Sequence, residues 1–287
     1  LMMPAPLQFA VKIAAHTEQL KILTAISILP IRDMRIFAGE VVLADIFTEG
    51  RLILGVGRGN FRYEMERLGI PMEETRARFD ESLAVLQALL EREEVSWDGD
   101  YYKFDPLTVM PRPINPGGPP MMMAAVKPDA IYHCARQGYH VQTTPLAGSK
   151  SYLQEQVDAF NRGKEEAGDV GEDLTLTLLR VGFMCHSEME KRERIQMAHA
   201  FLGRFDNVHE GAGIVDNGMV RALPRRQPID QVAKNALIGM KQEMIDKLSV
   251  FDEMGIDRII LNVNFGCDPH ETLDSIQYFA EEVMPHF

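Results

Sequence analysis

Short β-rich runs alternate with amphipathic helical stretches along this chain, a pattern that builds parallel sheets covered by helices. Residues 21–27 predict a strand, and 34–48 place Phe37, Val41, Ala44 and Phe47 near helical spacing before Glu49-Gly50 ends the helix. A strand over 51–56 runs into the turn Gly55-Val56-Gly57-Arg58-Gly59-Asn60, and Phe79, Leu83, Leu86 and Leu90 then mark one face of a helix at 74–92. Residues 95–118 break the rhythm: Trp97-Asp98-Gly99-Asp100-Tyr101 predicts a hairpin turn, and Pro111, Pro113 and Pro116 exclude a regular helix. A strand at 121–125 follows, then a helix opening at Pro128, carrying Ile131 and Ala135 and ending at Gly138. Next come a strand at 139–144, a helix with Leu153, Val157 and Phe160 inward, a long strand from Leu174 to Cys185, and a helix marked by Ile195, Ala198 and Phe201. Residues 203–237, rich in Gly, Asn and Pro, predict a second excursion. Met244, Leu248 and Phe251 then mark a helix, 258–264 a strand, and Leu273, Ile276, Ala280 and Val283 a last helix. The pattern predicts one α/β domain over 1–287 with six strands, which fits either an open doubly wound sheet or part of an eight-stranded barrel.

Composition narrows the partners. Apolar residues make up 46% of the 287 and charged residues 25%, the balance of a globular chain with a real core. A formal charge of −12 repels a phosphate backbone, so nucleic acid is not an expected partner. No apolar run approaches the roughly 18 residues of a membrane span and no signal-like start is present, so a cytoplasmic protein without membrane contact is expected. Cys134, Cys185 and Cys267 are odd in number and far apart, which disfavours a disulfide scaffold, and no metal site is expected.

The turn at 55–60 sits where α/β folds bind ligands, but Asn60 replaces the third glycine of a dinucleotide fingerprint and no helix is expected to open at once. Its glycines allow close approach of backbone to a ligand. Arg58 offers a planar fork to a phosphate, or pairs with a neighbouring carboxylate in a purely structural turn. Asn60 in the same turn is a further cofactor-binding candidate. At Ala125-Val126-Lys127-Pro128 a strand ends and a helix begins, so free backbone N–H groups and the Lys127 charge suit an anion; a plain loop with a solvated lysine is the commoner arrangement. Thr143 and Thr144 end the next strand and are possible donors to the same ligand. His133, His140, His186 and His199 have no carboxylate at a catalytic spacing and are expected to be structural.

These residues resemble the bacterial luciferase-like flavin-dependent monooxygenases. The resemblance runs through Lys21-Ile22-Leu23-Thr24-Ala25, Leu43-Ala44-Asp45, Gly50-Arg51-Leu52, Gly55-Val56-Gly57-Arg58-Gly59, Gly69-Ile70-Pro71, Arg76-Ala77-Arg78-Phe79-Asp80-Glu81, Pro111-Arg112-Pro113 and Ala135-Arg136-Gln137-Gly138, and closes in Phe279-Ala280-Glu281-Glu282-Val283-Met284-Pro285. It implies a (β/α)8 TIM-type barrel, usually dimeric, holding flavin at the carboxyl face of its strands. By the same resemblance Arg58 approaches the FMN phosphate, the backbone at Ala125, Val126 and Lys127 helps cradle it, and Thr144 is a further ligand. Ala25 and Ile26 lie under the isoalloxazine ring, where relatives often carry an unusual peptide geometry. Many relatives place Ser near Lys127 and Ser or Thr near Ala130; here Lys127 supplies charge instead.

The implied activity is monooxygenation of a small apolar organic substrate (aldehyde, ketone or hydrocarbon-like) by O2 and reduced FMN supplied by a flavin reductase. Hydride transfer with a deazaflavin coenzyme and a flavin-binding protein without turnover are the alternatives. A homodimer is expected from Ile36, Phe37, Val41, Val42, Leu43 and Phe47, which cover more than one face of the 34–48 helix; the 95–118 excursion folding over that helix is the competing arrangement. Because the chain opens on a helical stretch, Pro6 to His16, and only six strands are predicted, the first one or two βα units of the barrel are expected to be absent from it. The resemblance puts reactive-face residues in those units, so no catalytic residue is named.

Overall fold

The computed structural model describes residues 5–145, 149–209, 213–224 and 227–287. Two compact stretches, Leu1–Ala124 and Ala125–Phe287, are taken in turn.

In the first, α1 (Pro6–Ala14) precedes two short strands, β1 (Ile22–Leu23) and β2 (Ser27–Ile28), then α2 (Met34–Phe47), β3 (Leu52–Gly57), α3 (Arg62–Arg67), α4 (Thr75–Glu91), the strands β4 (Val95–Asp98) and β5 (Lys103–Leu107), and β6 (Met121–Ala124). Strands β1 and β2 both lie parallel to β3 on one side, and β6 lies parallel to it on the other. The predicted strand at 21–27 is therefore broken, and the register shows how. Ile22 and Leu23 face Leu52 and Ile53, whereas Ser27 and Ile28 face Val56 and Gly57, so three residues, Thr24 to Ile26, stand opposite two. The Thr24 hydroxyl replaces the ladder bonds lost there: it donates to the Gly55 carbonyl at 3.1 Å and accepts from the Gly55 N–H at 3.0 Å. This contact leaves no room for a side chain, because a Cβ on Gly55 would lie 1.8 Å from the Thr24 carbonyl oxygen.

Polar pins hold the rest of this stretch. The Glu81 carboxylate accepts from Trp97 Nε1 and from the backbone N–H groups of Asp100, Tyr101 and Tyr102 at 3.0–3.2 Å, which fixes the antiparallel β4–β5 hairpin expected from the Asp-Gly turn. Arg112 donates to the Leu89 and Leu90 carbonyls, closing the end of α4. Arg51 reaches the Ala14, Thr17 and Thr48 carbonyls, tying the ends of α1 and α2 together. On α2, Phe37, Val41 and Val42 are buried as expected, but Phe47 is not: it is 59% exposed, together with Ile36 and Leu43. The hairpin meets the chain at the start of that helix, through Tyr102 Oη donating to the Arg32 carbonyl and Arg35 lying over Phe104, and it leaves Ile36, Leu43 and Phe47 exposed.

The second stretch runs α5 (Pro128–Arg136), β7 (His140–Thr143), α6 (Lys150–Glu166), β8 (Leu176–Met184), α7 (Glu188–His209), β9 (Val215–Asp216), β10 (Met219–Val220), α8 (Ile229–Asn235), β11 (Leu237–Gly239), α9 (Lys241–Glu253), β12 (Arg258–Asn262) and α10 (Pro269–Glu282). Strand β7 pairs with the first half of β8, while β11 and β12 pair with its second half and its middle, all parallel. One core packs Ile131, Val157 and Phe160 of α5 and α6 on Val141, Leu176 and Leu178; another packs Ala198, Leu202 and Val232 on Val181 and Phe183. Within each stretch every new strand is laid beside an earlier one without the reversal of order that marks a doubly wound sheet, which decides for the barrel-type βα series.

Three expectations are corrected here. The count of six strands misses β11, which lies inside the supposed excursion 203–237; with three residues it is shorter than the runs that sequence pattern registers, and α7, the β9–β10 hairpin and α8 fill much of the remainder. A helix, α3, does open two residues after Asn60, contrary to the reading of that turn. On α10, Leu273 and Ile276 are exposed, and the side that packs is that of Ser275 and Val283, the Ser275 hydroxyl accepting the Met184 N–H at 2.7 Å.

Two measurements follow. Gly55→Ala forces the Cβ into backbone rather than into a movable side chain and is expected to cost about 3 kcal/mol, with Thr24→Val costing about 2 kcal/mol by stranding the Gly55 N–H and carbonyl; urea denaturation with wild-type midpoints in both would contradict this. His140 Nδ1 accepts the Thr175 N–H at 3.1 Å, and burial, followed by the nearby Arg258 charge, holds the imidazole pKa below the ordinary 6.5. The unfolded chain therefore takes up a proton that the folded chain refuses, so the stabilisation is complete above about pH 6.5 and is lost as pH falls below it. Stability is expected to drop less between about pH 7 and 5.5 in His140→Gln than in wild type; equal slopes would exclude this role.

Candidate functional site

Parallel βα sheets bind ligands at the carboxyl ends of their strands, where free N–H groups and variable loops collect. In the first stretch that end is built by β3 and the bulge beside it. Gly57 continues the close approach begun at Gly55: a Cβ there would fall 2.2 Å from Ile26 Cδ1. Gly59 has φ +74°, and a Cβ there would meet Met65 Sδ at 2.8 Å and Ile28 Cγ2 at 2.9 Å. Ala25, Ile26 and the Gly-rich turn are thereby brought onto one carboxyl end, and the Ala25–Ile26 peptide is cis.

Arg58 and Asn60 are both exposed. Among the described residues Arg58 makes no hydrogen bond or ion pair, so the structural alternative, a turn locked by an Arg–carboxylate pair, is not what the chain adopts.

In the second stretch Ala125 N–H donates to the Gln142 carbonyl at 3.0 Å, which sets the 125–127 turn beside the end of β7. Val126 and Lys127 are exposed. The Val126 carbonyl accepts from Tyr152 Oη and Gln156 Nε2 of α6, so the turn is held from behind by that helix. Lys127 is the extended residue before α5 and offers it no side-chain cap. Pro128 occupies the first helical position, and the first helix bond is Ile131 N–H to the Lys127 carbonyl. The N–H groups of Asp129 and Ala130 are left outside the ladder, a ready anion-binding arrangement, although the exposed Asp129 carboxylate in the same turn competes for it. Thr144 is half-buried and Thr143 fully buried, its hydroxyl without a hydrogen-bond partner. Register pairs Thr143 with Leu178, on the face packed against α5 and α6, so it is Thr144 that alternates to the other face.

The anchoring residues were the harder ones to foresee. Thr24 lies in the quoted resemblance without a role, and Tyr152 and Gln156, four apart on α6, carry no signal of what they hold.

Comparison with known proteins fits this geometry. The family model described as luciferase-like monooxygenase matches residues 2–258. The oxygenase component of flavin-dependent trigonelline monooxygenase from Acinetobacter baylyi is 26% identical over 99% of this chain and 81% of its own. An F420-dependent glucose-6-phosphate dehydrogenase from Nakamurella multipartita is 24% identical over 98% of this chain and 82% of its own. The crystal structure of monooxygenase RslO1 from Streptomyces bottropensis superposes with a TM-score of 0.84 at 24% identity, covering 99% of this chain and 83% of that one. The βα order, the Gly-rich strand end and a match over most of the chain converge, and the chain belongs to the luciferase-like monooxygenases, a family of oxidoreductase enzymes with a TIM-barrel fold.

Proposed function

We propose that this chain is the oxygenating component of a two-component system, using O2 and reduced FMN from a separate flavin reductase to oxygenate a small apolar organic substrate such as an aldehyde, ketone or hydrocarbon. The observation that carries the reading is Arg58: an exposed guanidinium uncommitted to any carboxylate, at the carboxyl end of β3, beside two strands drawn together by missing Cβ atoms. The name of the Acinetobacter relative, an oxygenase component, supports the division of labour.

The residues present fit a flavin. Gly55 and Gly57 let the neighbouring strand close against β3 and so bring Ala25 and Ile26, a small apolar surface, to its carboxyl end, and the exposed Arg58 suits a phosphate. Bound FMN in its reduced form would supply the electrons that activate O2. The chain's part is to bind and orient that group and to exclude water from it. Asn60 is a candidate donor near Arg58. In the second stretch, Ala125, Val126 and Lys127 at the α5 entrance, with Thr144, form a separate candidate set for an anionic group. No residue is assigned to proton transfer.

Hydride transfer with a deazaflavin coenzyme is the second reading, favoured by the F420-dependent relative. Oxygen uptake on addition of reductase, NAD(P)H and FMN, above that of the reductase alone and raised by substrate, distinguishes the first. Bleaching or recovery of the deazaflavin band with an alcohol or sugar substrate and no oxygen uptake distinguishes the second.

Arg58→Ala is expected to weaken FMN by about 10- to 150-fold, the loss of one charge-assisted phosphate contact of about 1.5–3 kcal/mol. Riboflavin, without the phosphate, is expected to bind both proteins alike; unchanged FMN affinity in the variant would remove Arg58 from the site. The exposed Ile36, Leu43 and Phe47 lie on one face of α2, and we propose that a second copy of the chain covers them. Light scattering at micromolar concentration is expected to give twice 32.4 kDa for wild type and 32.4 kDa for Phe47→Asp; a monomeric wild type would refute the dimer.

A further inference from the structure

A cleft of about 240 Å³ in the second stretch holds a group that the flavin reading does not use. Arg180, at the middle of β8, is 7% exposed and lines this cleft with Lys150, Lys234 and Lys247, against apolar walls from Leu153 and Phe251. Its guanidinium lies 5.7 Å from the Phe251 ring centroid, and among the described residues it donates through Nη1 to the neighbouring Leu179 carbonyl at 3.1 Å. Arg180 Nε has no hydrogen-bond partner, and among the described residues Arg180 makes no ion pair. Lys247 Nζ donates to the Ala233 and Ala236 carbonyls around the end of α8 and to the Ile238 carbonyl of β11, and the Glu243 charge acts on it from the same helix. Among the described residues no aspartate or glutamate lines the cleft.

That combination is costly unless something completes it. A charge removed from water without a counter-charge is among the most destabilising features of an interior. Burial pulls the Arg180 pKa down to about 10, which still leaves the group charged at neutral pH. In a chain of net charge −12, an acid-free cationic cleft is not a matter of composition.

The contrast with the first stretch is direct. A larger cleft of about 430 Å³ there also carries Arg35, Arg78 and Lys103, but Asp33, Glu74 and Asp98 pair with them in turn. The second cleft lacks such partners. Its volume is small beside the roughly 300–1,000 Å³ of sites for drug-sized ligands, and a water takes about 30 Å³ of liquid, so a tetrahedral anion with attendant waters fits.

We propose that this cleft binds a phosphate-type oxyanion, free or as the terminal group of a small molecule, with Arg180 as its buried ligand and Lys150 and Lys234 at its mouth. An oxyanion supplies the acceptor that Arg180 Nε lacks and a counter-charge for its buried guanidinium.

The test is isothermal titration of the flavin-free full chain with inorganic phosphate, and separately with glycerol 3-phosphate, at constant ionic strength. Saturable binding is expected, weakened by at least about tenfold in Arg180→Met and partly restored in Arg180→Lys. The double variant Lys150→Met/Lys234→Met alters only exposed positions and is expected to weaken binding by about threefold even if the Arg180 variants fail to fold. Tighter binding of glycerol 3-phosphate identifies a terminal phosphate as the ligand, and tighter binding of inorganic phosphate the free ion. No saturable binding by wild type, equal affinity in Arg180→Met, or wild-type affinity in the double variant would each overturn the proposal.

Discussion

The exchange of hydrogen bonds between the Thr24 hydroxyl and the Gly55 backbone is the contact on which the candidate site depends. It allows one strand edge to carry an extra residue against β3 without leaving buried backbone groups unpaired, and it requires that β3 present no side chain at that point. Gly57 and Gly59 extend the same constraint by one and two steps along the alternating face, so the bulge, the close strand approach and the turn bearing Arg58 form one device. Substituting any of the three glycines brings a Cβ within 3 Å of its neighbours, which is why the segment reads as glycine-rich although no dinucleotide loop is present.

Much of the conspicuous sequence turns out to be structural support. Arg51, Glu81 and Arg112 stand in segments that carry the family resemblance, and each is committed to backbone groups: helix ends for the two arginines, a hairpin turn for the glutamate. Arg58 has the same side chain as Arg51 and Arg112 but no such commitment. Residue type alone could not separate them, since a guanidinium serves a carbonyl cluster or a phosphate with the same donors. The distinction lies in tertiary contacts that bridge 20 to 40 positions, such as Arg51 with Thr17 or Arg112 with Leu89.

The order of strands and helices was legible because periodicity is local: α4 and α5 begin and end within two residues of the positions that the pattern and signals such as Pro128 and Gly138 mark. What escaped is either too short to show a period or decided by packing. Strand β11 has three residues. The α10 helix carries apolar residues on more than one side, and only the structure shows that Ser275, through its bond to the Met184 N–H, and not Leu273, faces the sheet. Arg180 lies in a run of strand residues where a lone arginine gives no hint of being buried without a counter-charge. In the candidate site, the turn residues were visible, whereas the groups that fix them, Thr24 from one strand and Tyr152 and Gln156 from a later helix, were not.

We propose that the carboxyl end of β3, shaped by the Thr24–Gly55 contact, receives the flavin with Arg58 on its phosphate. A crystal structure of the protein grown with FMN tests it most directly. Density for the isoalloxazine ring against Ala25 and Ile26, with the phosphate within about 4 Å of the Arg58 guanidinium, is the expected result. FMN bound away from the β3 carboxyl end, or bound there with Arg58 turned to solvent, would contradict it.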